Sequence, residues 1–203
     1  MINRYDIVKN IEELGEQILK ELAPNEFRLF AERTKLYVDN AFDEYLRQVE
    51  DEVLSSFIEE DNKKKAFMDL ETGFMRQMQL WLKDNAIAVT EQNVDINKLK
   101  SDSKKQKRSL YTILGGGTLL AIGLSIPAKI AWWVPVVVEL LTLGAAYKKY
   151  NSSYITPSQI QMKIYTVKKE LINGVINDIE SWLDSAEKQI TIVKESFDLK
   201  MHI

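Results

Sequence analysis

The chain has 203 residues, with 27 basic side chains against 30 acidic ones, four Pro, eight Gly, one His and no Cys. The near-neutral balance argues against a dedicated binder of duplex nucleic acid, which shows a basic face. The missing cysteine excludes disulfides, thiolate metal sites and cysteine nucleophiles. Alternating apolar and polar runs are scarce, so the expected class is all-α: a long antiparallel helical bundle or coiled coil carrying a hydrophobic two-helix hairpin.

Residues 2–22 predict a first amphipathic helix, because Ile7, Ile11, Leu14, Ile18 and Leu22 recur at threes and fours. No signal-peptide h-region opens the chain, which argues against Sec export of a soluble form. Pro24 ends this helix. Asn25 is placed to cap a second helix reaching about Glu60, with an apolar stripe at Phe30, Tyr37, Ala41, Tyr45, Val49, Val53 and Phe57. A third helix is predicted over about Lys64–Val89 on Phe67, Leu70, Phe74, Met78, Trp81 and Leu82. Met75, Met78 and Trp81 read as core rather than as a partner surface. Residues 1–108 therefore form one helical part of the chain.

Residues 109–149 form the second part. Leu110–Ile126 is apolar or small throughout, Pro127-Ala128-Lys129 interrupts it, and Ile130–Tyr147 is apolar again. That pattern predicts two helical arms joined by a turn at Pro127 and Lys129. Each arm measures about 26 Å as α-helix, at the short end for a bilayer core of ~30 Å. Lys105, Lys107 and Arg108 precede the hairpin, and Lys148 and Lys149 follow it. The positive-inside rule then places both ends, and both termini, on the cytoplasmic side of an inner or plasma membrane. Trp132 and Trp133 mark the far interface, while Tyr111 and Tyr147 mark the near one. A soluble bundle that sheathes the hairpin until triggered, as pore-forming toxins do, requires the same apolarity and stays open as the alternative.

The third part, 150–203, starts a helix at Thr156-Pro157-Ser158-Gln159, where Thr caps, Pro takes the first position and Gln completes a capping box. Its stripe runs Ile160, Ile164, Val167, Leu171, Val175, Ile179, Trp182, Ala186, Ile190, Val193 and Phe197. A helix reaching about Leu199 needs long partners, either the N-terminal helices or a second copy of the chain.

No catalytic constellation emerges, and the expectation is a protein that is not an enzyme and holds no cofactor or metal. His202 stands alone, one residue from the C-terminus. Gly115, Gly116 and Gly117 are not followed by Lys, so they read as close helix packing or a hinge rather than a phosphate loop. Glu139 is the exception. A carboxylate in the middle of an apolar arm is costly at membrane depth and faces a partner, a water-filled cavity or a pore; repeated around an oligomer it makes a cation-favouring ring, whereas in a soluble bundle it pairs with Lys129 or a lysine at the hairpin root. Order and polarity together resemble the two-transmembrane effector domains of bacterial anti-phage systems, of the SLATT type. That resemblance implies a membrane-inserted homo-oligomeric channel or pore, gated by its cytoplasmic bundle in response to a regulatory protein or nucleotide signal. A helical stalk with a membrane hairpin also resembles the stalk and paddle of dynamin-like proteins, but no GTPase is present in this sequence, so that resemblance implies a remodelling role with a partner or a membrane-anchored scaffold.

Overall fold

The computed structural model describes residues 2–20, 24–57, 61–95, 118–125 and 157–199. Its elements are α1 (Arg4–Ile18), α2 (Pro24–Ser56), α3 (Asp61–Phe67), α4 (Phe74–Asn85), β1 (Ala88–Asp95), β2 (Thr118–Ser125) and α5 (Pro157–Leu199). Among the described residues the protein is mostly helical, as the scarcity of apolar–polar alternation predicts. Among the described residues no helix is long and apolar enough to cross a membrane.

α1 begins where Asn3 accepts the N–H of Asp6 at 3.3 Å, an N-cap bond that satisfies one of the free donors of the first turn. Ile7 and Ile11 are buried, as their spacing predicts, and Gly15 joins them. A Cβ at Gly15 would lie 2.4 Å from Ile172 Cδ1, so α1 and α5 approach closely there. Ion pairs fix their direction: Arg4 meets Asp184 at 2.6 Å, and Glu16 meets Lys168 at 2.7 Å. α1 therefore runs antiparallel to α5. α2 follows α5 in parallel, with Phe42 against Trp182 and Phe57 at the level of Phe197.

The stripe predicted for α2 is half of its buried face. Phe30, Val49 and Phe57 are buried, and so are Phe27, Ala31, Val38, Phe42 and Leu46; Tyr37, Ala41, Tyr45 and Val53 are partly covered. A helix enclosed on two sides needs more than one narrow stripe. α5 matches its expectation closely, with Leu171, Val175, Ile179, Trp182, Ala186, Ile190, Val193 and Phe197 all buried.

The continuous third helix is corrected. It breaks between Phe67 and Phe74. Asp69 Oδ1 accepts the N–H groups of Thr72 at 2.7 Å and Glu71 at 2.9 Å, and the Thr72 hydroxyl at 2.9 Å. This local turn competes successfully with helical hydrogen bonding. These donors, the Thr72 N–H foremost, hold the Asp69 carboxyl below its ordinary range. The break lets Phe67 stack on Phe74 at 5.1 Å between ring centroids, while Phe197 meets the Phe67 edge at 5.0 Å. Leu70, placed in the stripe by spacing, is 91% exposed at the apex of the turn.

The second correction concerns the apolar hairpin. Within the first arm, Thr118–Ser125 is a strand rather than a helix, paired antiparallel with Ala88–Asp95. Both strands lie against α2. Glycines at 115, 116, 117 and 123 weaken a helix here, and the β-branched Thr118 and Ile122 tolerate extended backbone. The remainder of 109–149 lies outside the described residues.

Gly73 tests this account. A Cβ there would lie 2.3 Å from the Asp69 carbonyl oxygen and 2.5 Å from that of Phe67, both rigid backbone. Gly73→Ala is expected to lower unfolding free energy by about 2 kcal/mol in urea titration, through overpacking. Leu70→Ser is expected to change it by less than about 0.5 kcal/mol.

Candidate functional site

The part of the apolar run that the structure describes is the ribbon of β1 and β2. Its register sets Val89 opposite Leu124 and Val94 opposite Leu119, but also Glu91 opposite Ile122, Gln92 opposite Ala121 and Asn93 opposite Leu120. A polar strand faces an apolar one. Two strands alone are marginal in water. Among the described residues, both strands find their support on α2.

Its root is better held. Trp182 on α5 donates its indole N–H to the carbonyl of Asn85 at 2.7 Å, at the last residue of α4. The same ring sits 5.0 Å from Phe42 and 6.2 Å from Trp81. Asn85 Nδ2 donates to the Trp81 carbonyl at 2.9 Å. Ala86 then turns extended, with φ −65° and ψ 140°, and Ile87 drops into the core at 1% exposure. Helices α2, α4 and α5 thus converge on the point where the ribbon starts.

The other face of α2 carries α1. Tyr37 accepts from Asn10 Nδ2 at 2.9 Å, and burial is the main cause that pushes the Tyr37 phenol up. At the start of α1 the Arg4 guanidinium forks between Asp184 and Glu187. The bond to Asp184 is the largest cause holding its proton more tightly than usual. Burial raises the Tyr45 phenol as well, aided by the charge of Glu187. A shallow cleft of about 310 Å³ lies between α1 and α2, lined by Asn3, Asp6, Tyr37, Glu44 and Tyr45. A second, of about 270 Å³, separates the far ends of α2 and α5 between Glu52, Lys194 and Phe197. Among the described residues no cluster of three or more His, Cys, Asp or Glu is arranged to hold a metal ion.

The residues singled out from sequence are not among those described. Glu139, the glycines Gly115, Gly116 and Gly117, the turn residues Pro127 and Lys129, and the interface residues Tyr111, Trp132, Trp133 and Tyr147 all lie outside the described residues. So do the flanking Lys105, Lys107, Arg108, Lys148 and Lys149. Met75, Met78 and Trp81 pack into the core as expected, Met78 fully buried. Sequence reasoning missed the Arg4 fork and the Trp182 hydrogen bond. A lone Arg at the start of an acid-rich helix was a usable signal for the first; nothing local points to the second. No family model matches this chain, and neither do any curated proteins or solved structures.

Arg4→Gln removes both ion pairs while leaving a polar side chain. The arrangement predicts a loss of about 1 kcal/mol, the scale of a partly exposed network, shrinking in molar salt. Urea titrations at low and high NaCl read both effects.

Proposed function

We propose that the protein acts on membranes. The apolar run 110–147 enters a bilayer as a two-helix hairpin, and copies assemble into a channel or pore whose opening the helical body controls. The observation that carries this reading is the ribbon. Eight residues of a long apolar segment are held as a strand paired with a polar one, and among the described residues the two lie against α2. A two-stranded ribbon has two open edges, and backbone at such edges finds no partner in hydrocarbon. The described arrangement therefore fits a stored form, and insertion takes β2 away from β1.

The long helices supply what assembly needs. Exposed Leu29, Leu36 and Ile192 on α2 and α5 are available to neighbouring copies. In the inserted oligomer, Glu139 lines the conduit and favours cations, and Gly115, Gly116 and Gly117 bring helices close. The lysines and Arg108 at the hairpin root stay with anionic headgroups. A regulatory protein or a nucleotide signal fits the role of trigger.

The chain has no cysteine, so an introduced pair reports cleanly. Gln92 and Ala121 face one another across the ribbon, at a separation a disulfide bridges. With Gln92→Cys and Ala121→Cys together, dye release from liposomes of equal phosphatidylcholine and phosphatidylglycerol is expected in the reduced protein. Oxidation should suppress it at least tenfold, and reductant should restore it. Glu139→Gln should lower the preference for cations over anions in planar-bilayer recordings. Equal release from oxidised and reduced protein removes the stored-ribbon step, and no release from either removes the membrane reading.

A further inference from the structure

We infer that α4 and β1 are one potential helix, interrupted at Ala86 by α5, and that releasing this hold lets the helix run from Phe74 through Asp95. The inference goes beyond the membrane reading and does not rest on it, because the switch operates within the chain in water.

Gly and Pro are the commonest sequence signals that stop a helix. From Phe74 to Leu114 there is neither. Ala86, at the end of α4, has no left-handed conformation and is followed by Ile87, Ala88 and Val89. Nothing in these four residues forbids continuation. The stop comes from elsewhere in the fold. In a continuing helix the Asn85 carbonyl would accept the N–H of Val89. Here it accepts the Trp182 indole instead, at 2.7 Å. That bond satisfies one of the terminal carbonyls a helix end leaves free. Ile87, buried to 1% exposure just beyond, carries the chain out of helical register.

The segment beyond is equipped for either state. Ala88, Glu91 and Gln92 favour helix, while Val89, Thr90 and Val94 tolerate strand. In helical register the face of Phe74, Met78, Trp81 and Leu82 continues to Ala88 and Val89. In the strand, Glu91, Gln92 and Asn93 pair in register with Ile122, Ala121 and Leu120. A helix without a breaker competes with the strand for this segment, and one side chain on another helix is placed to decide between them.

The experiment uses the full chain in buffer. Trp182→Phe keeps a ring against Phe42 and Trp81 but removes the N–H. Thr90→Ala with Asn93→Ala raises the helix propensity of β1 and leaves Trp182 in place. Each is expected to add about ten helical residues, Ala86 to Asp95, to the far-ultraviolet circular dichroism signal. Amide exchange over Thr118–Ser125 should accelerate at least tenfold as β2 loses its partner. In the oxidised Gln92→Cys, Ala121→Cys background neither variant should gain helix, and reduction should release the gain. Unchanged dichroism and exchange in both variants overturn the inference. So does loss of protection over Ala88–Asp95 without added helix. Should Trp182→Phe fail to fold, the double alanine variant decides alone, and its failure to gain helix overturns the inference equally.

Discussion

Trp182 occupies the point through which the described structure is joined. Its ring faces Phe42 of α2 at 5.0 Å and Trp81 of α4 at 6.2 Å, and its N–H holds the end of α4. A buried tryptophan whose polar edge also finds a partner combines the largest apolar surface of any side chain with a directional bond. Truncation of such a residue typically costs 3–5 kcal/mol, a large share of a domain's net stability. α5 can be 43 residues long because this residue and the stripe on either side of it meet α1, α2, α3 and α4. The rest of the fold is arranged along that helix.

From that seam outward, attachment weakens in steps. α1 is fixed by apolar burial, by the close approach at Gly15 and by ion pairs near both ends. α4 is fixed by Phe74, Met78 and the tryptophan. The ribbon has its root secured by Ile87 and its length supported by α2. Opening free energies within one protein vary in this way, and the elements that move are drawn from the least stable end. The described part of the apolar run, Thr118–Ser125, belongs to the ribbon.

Much of this was legible in the sequence. The start of α5 follows from Pro157 with its neighbours, and its core face from a stripe that repeats without interruption from Leu171 to Phe197. Such signals are local and periodic, so no knowledge of partners is needed. Leu70 shows the opposite case: its spacing suits a core position, but a three-hydrogen-bond turn at Asp69 ends the helix before it and leaves it exposed. The strands were illegible for a further reason. β1 lacks alternation, β2 is apolar on both faces, and their pairing joins segments far apart in the chain across a face of α2. For the site, sequence identified the apolar run and its charged borders but not the conformation in which part of it is held.

On the membrane reading, magnitudes explain why the run would be stored rather than inserted at once. The second arm, Ile130–Tyr147, holds one Ile, four Val and three Leu. At about −0.3 to −0.6 kcal/mol for each such residue near the centre of a spanning helix, they favour insertion by roughly 2–5 kcal/mol. One charged side chain at that depth opposes it by about 3 kcal/mol. With Glu139 ionised and alone, the two nearly cancel. Insertion becomes favourable when the carboxylate is neutralised or shared, and copies packed around a common axis with water within it provide that condition. On that reading, the residue that makes the arm a poor solitary span would make it a good subunit, coupling assembly to insertion through Glu139. A weakly held ribbon then suffices as the safeguard, because the stored state has to outweigh only a marginal gain.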